Sequence, residues 1–417
     1  MTDLDERPDE LQRFVASMRR QRVWYLVAIA VVAVIAVAVT VVVWFSSEIA
    51  HVHLRTAKSA PPTVPLGSPP TAPTAKWGSG DKTAIGAPFD DGTVVTYSTH
   101  TVTGRNALTG TADWTYRRTD RTACQVAQVQ GKTIAVYTDA DGNCDEVSTF
   151  ETGTGKRAWT RTLDENGLTL SGHPTFIAST DTLYAWTADF VYAIDPSSGY
   201  DRWTYSIGDG CTLTTVVPGS AGVLMNAHCT DGDQLLMRDR SAGSDDKQQT
   251  DDKKNQILWR LKNTSTVAVA ADSIVAALDP TTRQLVTYEP AKGTVRAHLT
   301  LTPNPSATSP VQHVAANQAE LIWIAGTAYA IDSTGTQEWS GPFAAPPTLT
   351  PPDGSPVTPD LSSARILVPT PSGVAALDGA SGKVTTQYAV PPPEPGGQVY
   401  PVGNGFLVAG PSTAYYA

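Results

Sequence analysis

Cys124, Cys144, Cys211 and Cys229 are the residues of this chain whose spacing speaks first of chemistry. An even set of thiols in an oxidising compartment forms disulfides, and four allow three pairings. The spacing favours Cys124 with Cys144 and Cys211 with Cys229. Each pair begins about ten residues after a tryptophan and encloses two apolar runs joined by a glycine turn. In CTLTTVVPGSAGVLMNAHC the two cysteines are equidistant from Ser220, so an antiparallel hairpin sets them opposite each other. For Cys124 and Cys144 the centre is displaced, and the DADGN stretch must fold back. Each bridge would close a loop of about 20 residues and contribute roughly 3 kcal/mol. Zinc would require C-x-x-C spacing and the convergence of two hairpins, so neither a zinc site nor a catalytic thiol is expected here.

The other reactive side chains form no constellation. His173, His228 and His313 are scattered and no G-x-S-x-G elbow occurs, which argues against a Ser/His/Asp hydrolase. Residues 139–145 (DADGNCD) resemble an oxygen-rich calcium loop but lack its full spacing and its terminal bidentate Glu, so a turn beside a disulfide is expected. His51 and His53 stand as H-x-H without further ligands. No cofactor, metal or catalytic residue is therefore expected. Asn263-Thr264-Ser265 matches a glycosylation triplet. The insertion 241–256 mixes charge signs and reads as a solvated loop, with partner docking as the sharper alternative. The formal charge is −10 and no basic stripe is present, which excludes nucleic acid as a partner.

The elements that must carry these residues begin with an uncharged run, residues 23–45 (VWYLVAIAVVAVIAVAVTVVVWF). As a helix it would span roughly 34 Å, enough for the bilayer hydrocarbon. Trp24, Tyr25, Trp44 and Phe45 mark its two interfaces. Arg13, Arg19, Arg20 and Arg22 precede it while only Arg55 and Lys58 follow closely, so residues 1–22 are expected in the cytoplasm and the rest of the chain outside it. A cleaved signal peptide fits less well, because the run is long and no clear A-x-A site follows. Residues 46–73, rich in Pro, Ala, Ser and Thr, read as an extended linker.

From 74 to 417 one pattern recurs: two β-like runs, an Asp, Asn or Glu, a turn with Gly, then often Trp. The copies are NALTGTADW ending at Trp114, ETGTGKRAW at Trp159, DPSSGYDRW at Trp203 and DSTGTQEW at Trp339. EPAKGTVRA keeps the turn but carries Ala297, and DGASGKVTTQ ends at about Gln387. Trp77 and Trp259 complete the set, the latter behind the swollen insertion. The markers recur at roughly 40 to 55 residues, the period of a four-stranded blade. Such regular recurrence assigns Trp77, Trp114, Trp159, Trp203, Trp259 and Trp339 to packing between neighbouring blades. TAKW at 74–77 reads as a lone fourth strand, and the C-terminal YPVGNGFLVAGPSTAYYA as three strands lacking one. Together they would make one blade and leave no open sheet edge. The expectation is an all-β, eight-bladed propeller, with seven blades as the alternative, behind a single transmembrane helix.

In these residues the chain resembles the PQQ-like, or quinoprotein-like, propeller family, whose repeats carry a D-x-x-T/S-G-x-x-x-W turn like that of Asp195 to Trp203. The resemblance covers 74–417. It implies the fold more than an activity, since the family holds quinone-dependent dehydrogenases, the non-catalytic outer-membrane assembly propeller and anchored envelope proteins of actinobacterial type. The adjacent cysteines common above the quinone are missing, and the chain leaves little length for loops that bury a cofactor. The expected function is a non-catalytic, membrane-anchored scaffold that binds a protein or cell-envelope component on one propeller face. That face would be the disulfide side, with loops 116–123, 139–145, 206–210 and 230–234. A quinone-dependent dehydrogenase and an extracytoplasmic sensor are the alternatives.

Overall fold

The computed structural model describes residues 24, 29–37, 48–86, 92–139, 142–163, 174–179, 181–208, 210–240, 256–302, 305–306, 309–350, 358–394 and 396–417. The cytoplasmic tail expected at 1–22 and most of the helix expected at 23–45 lie outside them. Residues 29–37 are helical and their large apolar side chains are exposed. Among the described residues no helix is long and apolar enough to cross a membrane.

The chain divides into two compact units, one of Met1–His53 with Arg117–Asp120 and one of Leu54–Tyr116 with Arg121–Ala417. In the first, helix Glu48–His51 ends beside Thr119, whose N–H donates to the His51 carbonyl at 3.0 Å. Arg118 chelates Asp120 at 2.9 Å through both carboxylate oxygens, which holds the Asp120 carboxyl below its usual range.

The second unit is all β: eight sheets, each built on four strands. Blade 3 shows the plan, with Thr175–Ser179, Thr182–Trp186, Phe190–Ile194 and Asp201–Ser206 antiparallel from the inner strand to the outer. Blade 4 runs Cys211–Pro218, Val223–Cys229, Gln234–Arg238 and Ile257–Lys262, blade 5 Val267–Ala271, Val275–Asp279, Gln284–Tyr288 and Val295–Thr300, and blade 6 Val311–Ala316, Ala319–Ile324, Thr327–Asp332 and Gln337–Pro342. Blade 1 is built on Lys82–Thr83, Thr93–Tyr97, Thr101–Asn106 and Ala112–Arg118, blade 2 on Ala123–Val129, Lys132–Thr138, Cys144–Glu151 and Arg157–Thr162, and blade 7 on Thr348–Thr350, Arg365–Thr370, Gly373–Leu377 and Val384–Tyr388. Eight blades, not seven, close the ring. Blade 8 combines Gln398–Val402, Gly405–Ala409 and Thr413–Tyr416 with Ala75–Ser79 from the other end of the domain, and Thr74 and Ala417 exchange two backbone hydrogen bonds of 3.1 Å. Second and third strands are buried almost throughout because a neighbouring blade covers each side, and the apolar clusters accordingly draw on two consecutive blades.

The outer strands of blades 2 to 8 each carry a bulge. In blade 3, Ala193 faces Trp203 but Ile194 faces Asp201, leaving Arg202 as the extra residue, and the same shift recurs opposite Trp159, Trp259, Ala297 and Trp339. A bulge re-aims the side chain that follows it. Here the extra residue directly precedes the tryptophan, or the Ala297 or Thr386 that stands in its place. In blade 7 the residue at this place is Thr386, which faces Ala376, not the neighbouring Gln387 of the sequence reading.

Each tryptophan is joined to the turn of the next blade. The indole N–H of Trp77 donates to Ala107 O, Trp114 to Thr152 O, Trp159 to Pro196 O, Trp203 to Arg240 O, Trp259 to Pro290 O and Trp339 to Gly379 O, at 2.7–3.1 Å. The acceptor always follows the Asn, Asp or Glu that opens the turn. The turn glycine explains the second half of the motif: a Cβ on Gly155 would lie 2.5 Å from the Trp114 ring, and φ there is +69°. Only glycine combines that conformation with contact to an indole.

Residues 46–73, expected as an extended linker, differ from that reading. They include helix Glu48–His51 and strand Val52–Arg55, which edges blade 1 and whose Arg55 donates to Ala112 O at 2.7 Å. Beyond Arg55 the proline-rich stretch lies on the propeller: Ala57 N–H donates to Thr154 O at 2.9 Å, Gly67 N–H to Gly403 O at 2.7 Å, and Arg365 to Gly67 O. Composition rules out a core of its own for this stretch, but blades 1, 2, 7 and 8 supply a surface for it.

Candidate functional site

Antiparallel alternation gives the ring two faces. The first-to-second and third-to-fourth turns lie on one, and the second-to-third loops and inter-blade connections on the other. Both disulfides belong to the latter: Cys124 with Cys144 in blade 2, and Cys211 with Cys229 in blade 4. Cys211 and Cys229 are direct register partners, while Cys144 faces Thr138 one strand away from Cys124. Before Cys144 of the displaced first pair, Asp139 accepts from Asn143 N at 2.8 Å and Nδ2 at 3.1 Å.

Around the second disulfide the loop at 230–234 is polar, with Thr230, Asp231 and Asp233 exposed and Gln234 buried. His228 Nδ1 lies 2.6 Å from Asp233, and Lys262 lies 3.1 Å from Asp231. The Lys262 hydrogen bond holds the Asp231 carboxyl below its ordinary value. Near the first disulfide, Arg121 reaches Glu146 at 3.3 Å and Thr138 O at 2.8 Å. The six tryptophans lie elsewhere, in the junctions between blades, where Trp114 and Trp203 are fully buried and Trp77 and Trp159 half-buried. His173 and most of the insertion 241–256 lie outside the described residues.

The opposite face carries the proline-rich strand of chain and an open, polar cavity of about 650 Å³ between blades 6 and 7, lined by residues including Asn317, Asp332, Glu338 and Asp360. Deeper, at the junction of blades 5 and 6, lies a cluster that sequence reasoning missed. His313 Nδ1 is 2.9 Å from Glu320 Oε1 and 3.6 Å from Asp272 Oδ2. Glu320, the second residue of the second strand of blade 6, stands opposite Ala315, which places its side chain diagonal to His313 on the same sheet face. Asp272 sits in the first turn of blade 5, where its Oδ1 accepts from Ser220 N at 2.6 Å. Burial disfavours the His313 imidazolium, but the Glu320 hydrogen bond and the two carboxylate charges outweigh it and raise its pKa. Burial also raises the pKa of Glu320. Both directions keep a proton within the pair. The signal in the sequence was a glutamate inside AELIWI, a strand whose every residue is buried.

Comparison with known proteins agrees with this architecture. The PQQ-type family model described as outer membrane protein assembly factor BamB matches residues 55–220 and 247–402. No curated protein matches the chain. Among solved structures, the computationally designed Ika8 protein is similar at 13% identity and a TM-score of 0.51, covering 82% of this chain and 98% of its own. Sqt1 of Saccharomyces cerevisiae is similar at 12% identity and a TM-score of 0.50, covering 84% and 100%. BamB from Moraxella catarrhalis shares 15% identity with a TM-score of 0.46, covering 83% and 99%. At these identities the likeness concerns the fold alone.

Proposed function

From the premise that this chain belongs to the PQQ-type propeller family described as outer membrane protein assembly factor BamB, we propose that it is a non-catalytic, membrane-anchored scaffold that docks a protein or cell-envelope partner on its disulfide face. The observation that carries the reading is the unequal treatment of the two faces. One is overlaid by the chain's own proline-rich stretch at Gly67 and Gly403, while the other presents polar loops held by the two disulfides. Disulfides support an oxidising compartment. The uncharged run 23–45, with the arginines before it, supports a single span with the propeller outside the cytoplasm.

A photo-crosslinking residue at Asp231 or Asp233 is compared with one at Thr334 on the opposite face, in native membranes. A discrete adduct from the first two positions and none from the third is expected. Adducts from Thr334 alone, or equally from both faces, overturn the choice of face. Release of the protein from membranes by alkaline carbonate overturns the anchor. Uptake of quinone and calcium with dehydrogenase activity would replace the scaffold with an enzyme.

A further inference from the structure

We infer that Asp272, His313 and Glu320 form a site for one divalent transition-metal cation, with zinc as the reference occupant, at the junction of blades 5 and 6. One ligand atom from each residue lies within 4.8 Å of the others. Donors bonded to a tetrahedral zinc at about 2.0–2.2 Å stand about 3.3–3.6 Å apart. The observed separations from His313 Nδ1, 2.9 Å to Glu320 and 3.6 Å to Asp272, bracket that edge. The third edge, between the two carboxylates, is within 4.8 Å, so a cation would draw Asp272 and Glu320 toward each other on binding. One imidazole with two carboxylates is a donor set that suits zinc.

A second observation points to a ligand. Glu320 has no exposed surface, and its Oε2 completes no hydrogen bond, the backbone N–H of Ser273 acting on the carboxyl only weakly. A carboxylate oxygen buried without a donor is costly, and such atoms are rare in folded proteins. Charge leads the same way: an imidazolium between two carboxylates leaves the cluster one charge negative, whereas a divalent cation with a neutral imidazole leaves it balanced. Asp272 and His313 keep side-chain exposures of 14% and 21%, so water can reach an open fourth position. Ser220 N–H fixes the other oxygen of Asp272, the kind of outer contact that orients a metal ligand. The inference is independent of the docking face, since the cluster lies at the other end of the inner strands.

Zinc is titrated into the full chain, purified in detergent and stripped with chelator, by calorimetry in two buffers of different ionisation enthalpy. One zinc per chain is expected, with release of the proton that now joins His313 and Glu320. Asp272→Asn and Glu320→Gln should weaken binding by at least about 10-fold. His298→Ala, which removes an exposed imidazole bonded to Gln284, should leave it unchanged. Asp272 lies in a turn, so its variant tests the site even where Glu320→Gln fails to fold. Absence of stoichiometric binding at micromolar zinc, or binding that survives Asp272→Asn, overturns the site and leaves an ion-paired histidine.

Discussion

The junction between blades 3 and 4 and the junction between blades 5 and 6 solve the same packing problem with different side chains. At the first, Trp203 is buried against Tyr184 at 5.8 Å, the Arg238 guanidinium lies 3.7 Å over its ring, and the indole donates to Arg240 O. Burial pushes the Arg238 pKa down to about 10. At the second, Ala297 stands in the tryptophan's place and the apolar cluster is largely aliphatic. The turn carbonyl of blade 6 is nevertheless used: Arg296, the bulge residue next to Ala297, donates to Ser333 O at 2.8 Å, and Ser333 follows Asp332 as Arg240 follows Asp239. What recurs between blades is therefore an acceptor awaiting a donor, and tryptophan is one way of supplying both donor and bulk. Two junctions lack the tryptophan, at Ala297 and at Thr386, and the first of them carries the buried Asp272–His313–Glu320 cluster at its inner end.

The sharpest way to break this comparison is to remove bulk from each side. Trp203→Ala should cost about 3–5 kcal/mol in urea unfolding, as expected for a large buried ring, whereas Ala297→Gly should cost about 1 kcal/mol or less. Equal losses would mean the two junctions are not alternatives. Next in size is the disulfide: Cys211 and Cys229 belong to the cluster around Trp203. Replacing both with serine should lower stability by about 3 kcal/mol, seen as a lower unfolding midpoint that reductant no longer shifts through this bridge. Turn glycines come third. Gly199→Ala would set a Cβ 2.7 Å from the Trp159 ring at φ +78°, and should cost about 2 kcal/mol. Gly335→Ala, which meets the Thr287 hydroxyl and the small Ala297, should cost less in the same assay. Arg296→Ala should cost about 1 kcal/mol or less, since its hydrogen bond is exposed.

Acid should act on both kinds of junction alike. Burial tends to raise the carboxyls of Asp195 and Asp332, but hydrogen bonds from Ser197 and Ser198, and from Thr334 and Thr336, outweigh it and lower both. A carboxyl lowered in the folded state contributes stability that is complete above its unfolded value, near 4, and is lost as pH falls through the folded value. Unfolding midpoints should drop together below about pH 4, and Asp332→Asn should flatten part of that drop.

Much of this architecture was legible in the sequence because each blade repeats a local instruction: a polar residue to open the turn, a glycine to make it, and an indole to reach the next copy. Reading went astray where geometry intervened between neighbours in the chain. The bulge moves the marker of blade 7 to Thr386, and it turns Arg296 into a donor that no motif records. Composition identified 46–73 as unable to build a core but was silent on whether it would lie against one. Asp272 and His313 are brought together only by the stacking of two blades, so their spacing carries no signal. Glu320 alone could have been suspected, as a carboxylate in a run with no exposed position.

The seam of blade 8 has a consequence for when this protein can become whole. Thr74 and Ala417 meet across 343 positions of chain, and the blade that closes the circle needs strands from both sides of that interval. On a chain that emerges from the ribosome in order, Ala75–Ser79 must wait unpartnered while seven blades' worth of polypeptide is synthesised. The last step of maturation is thus a meeting of the earliest and latest parts of the domain. Until it occurs, one strand edge stays open to pairing with other chains nearby.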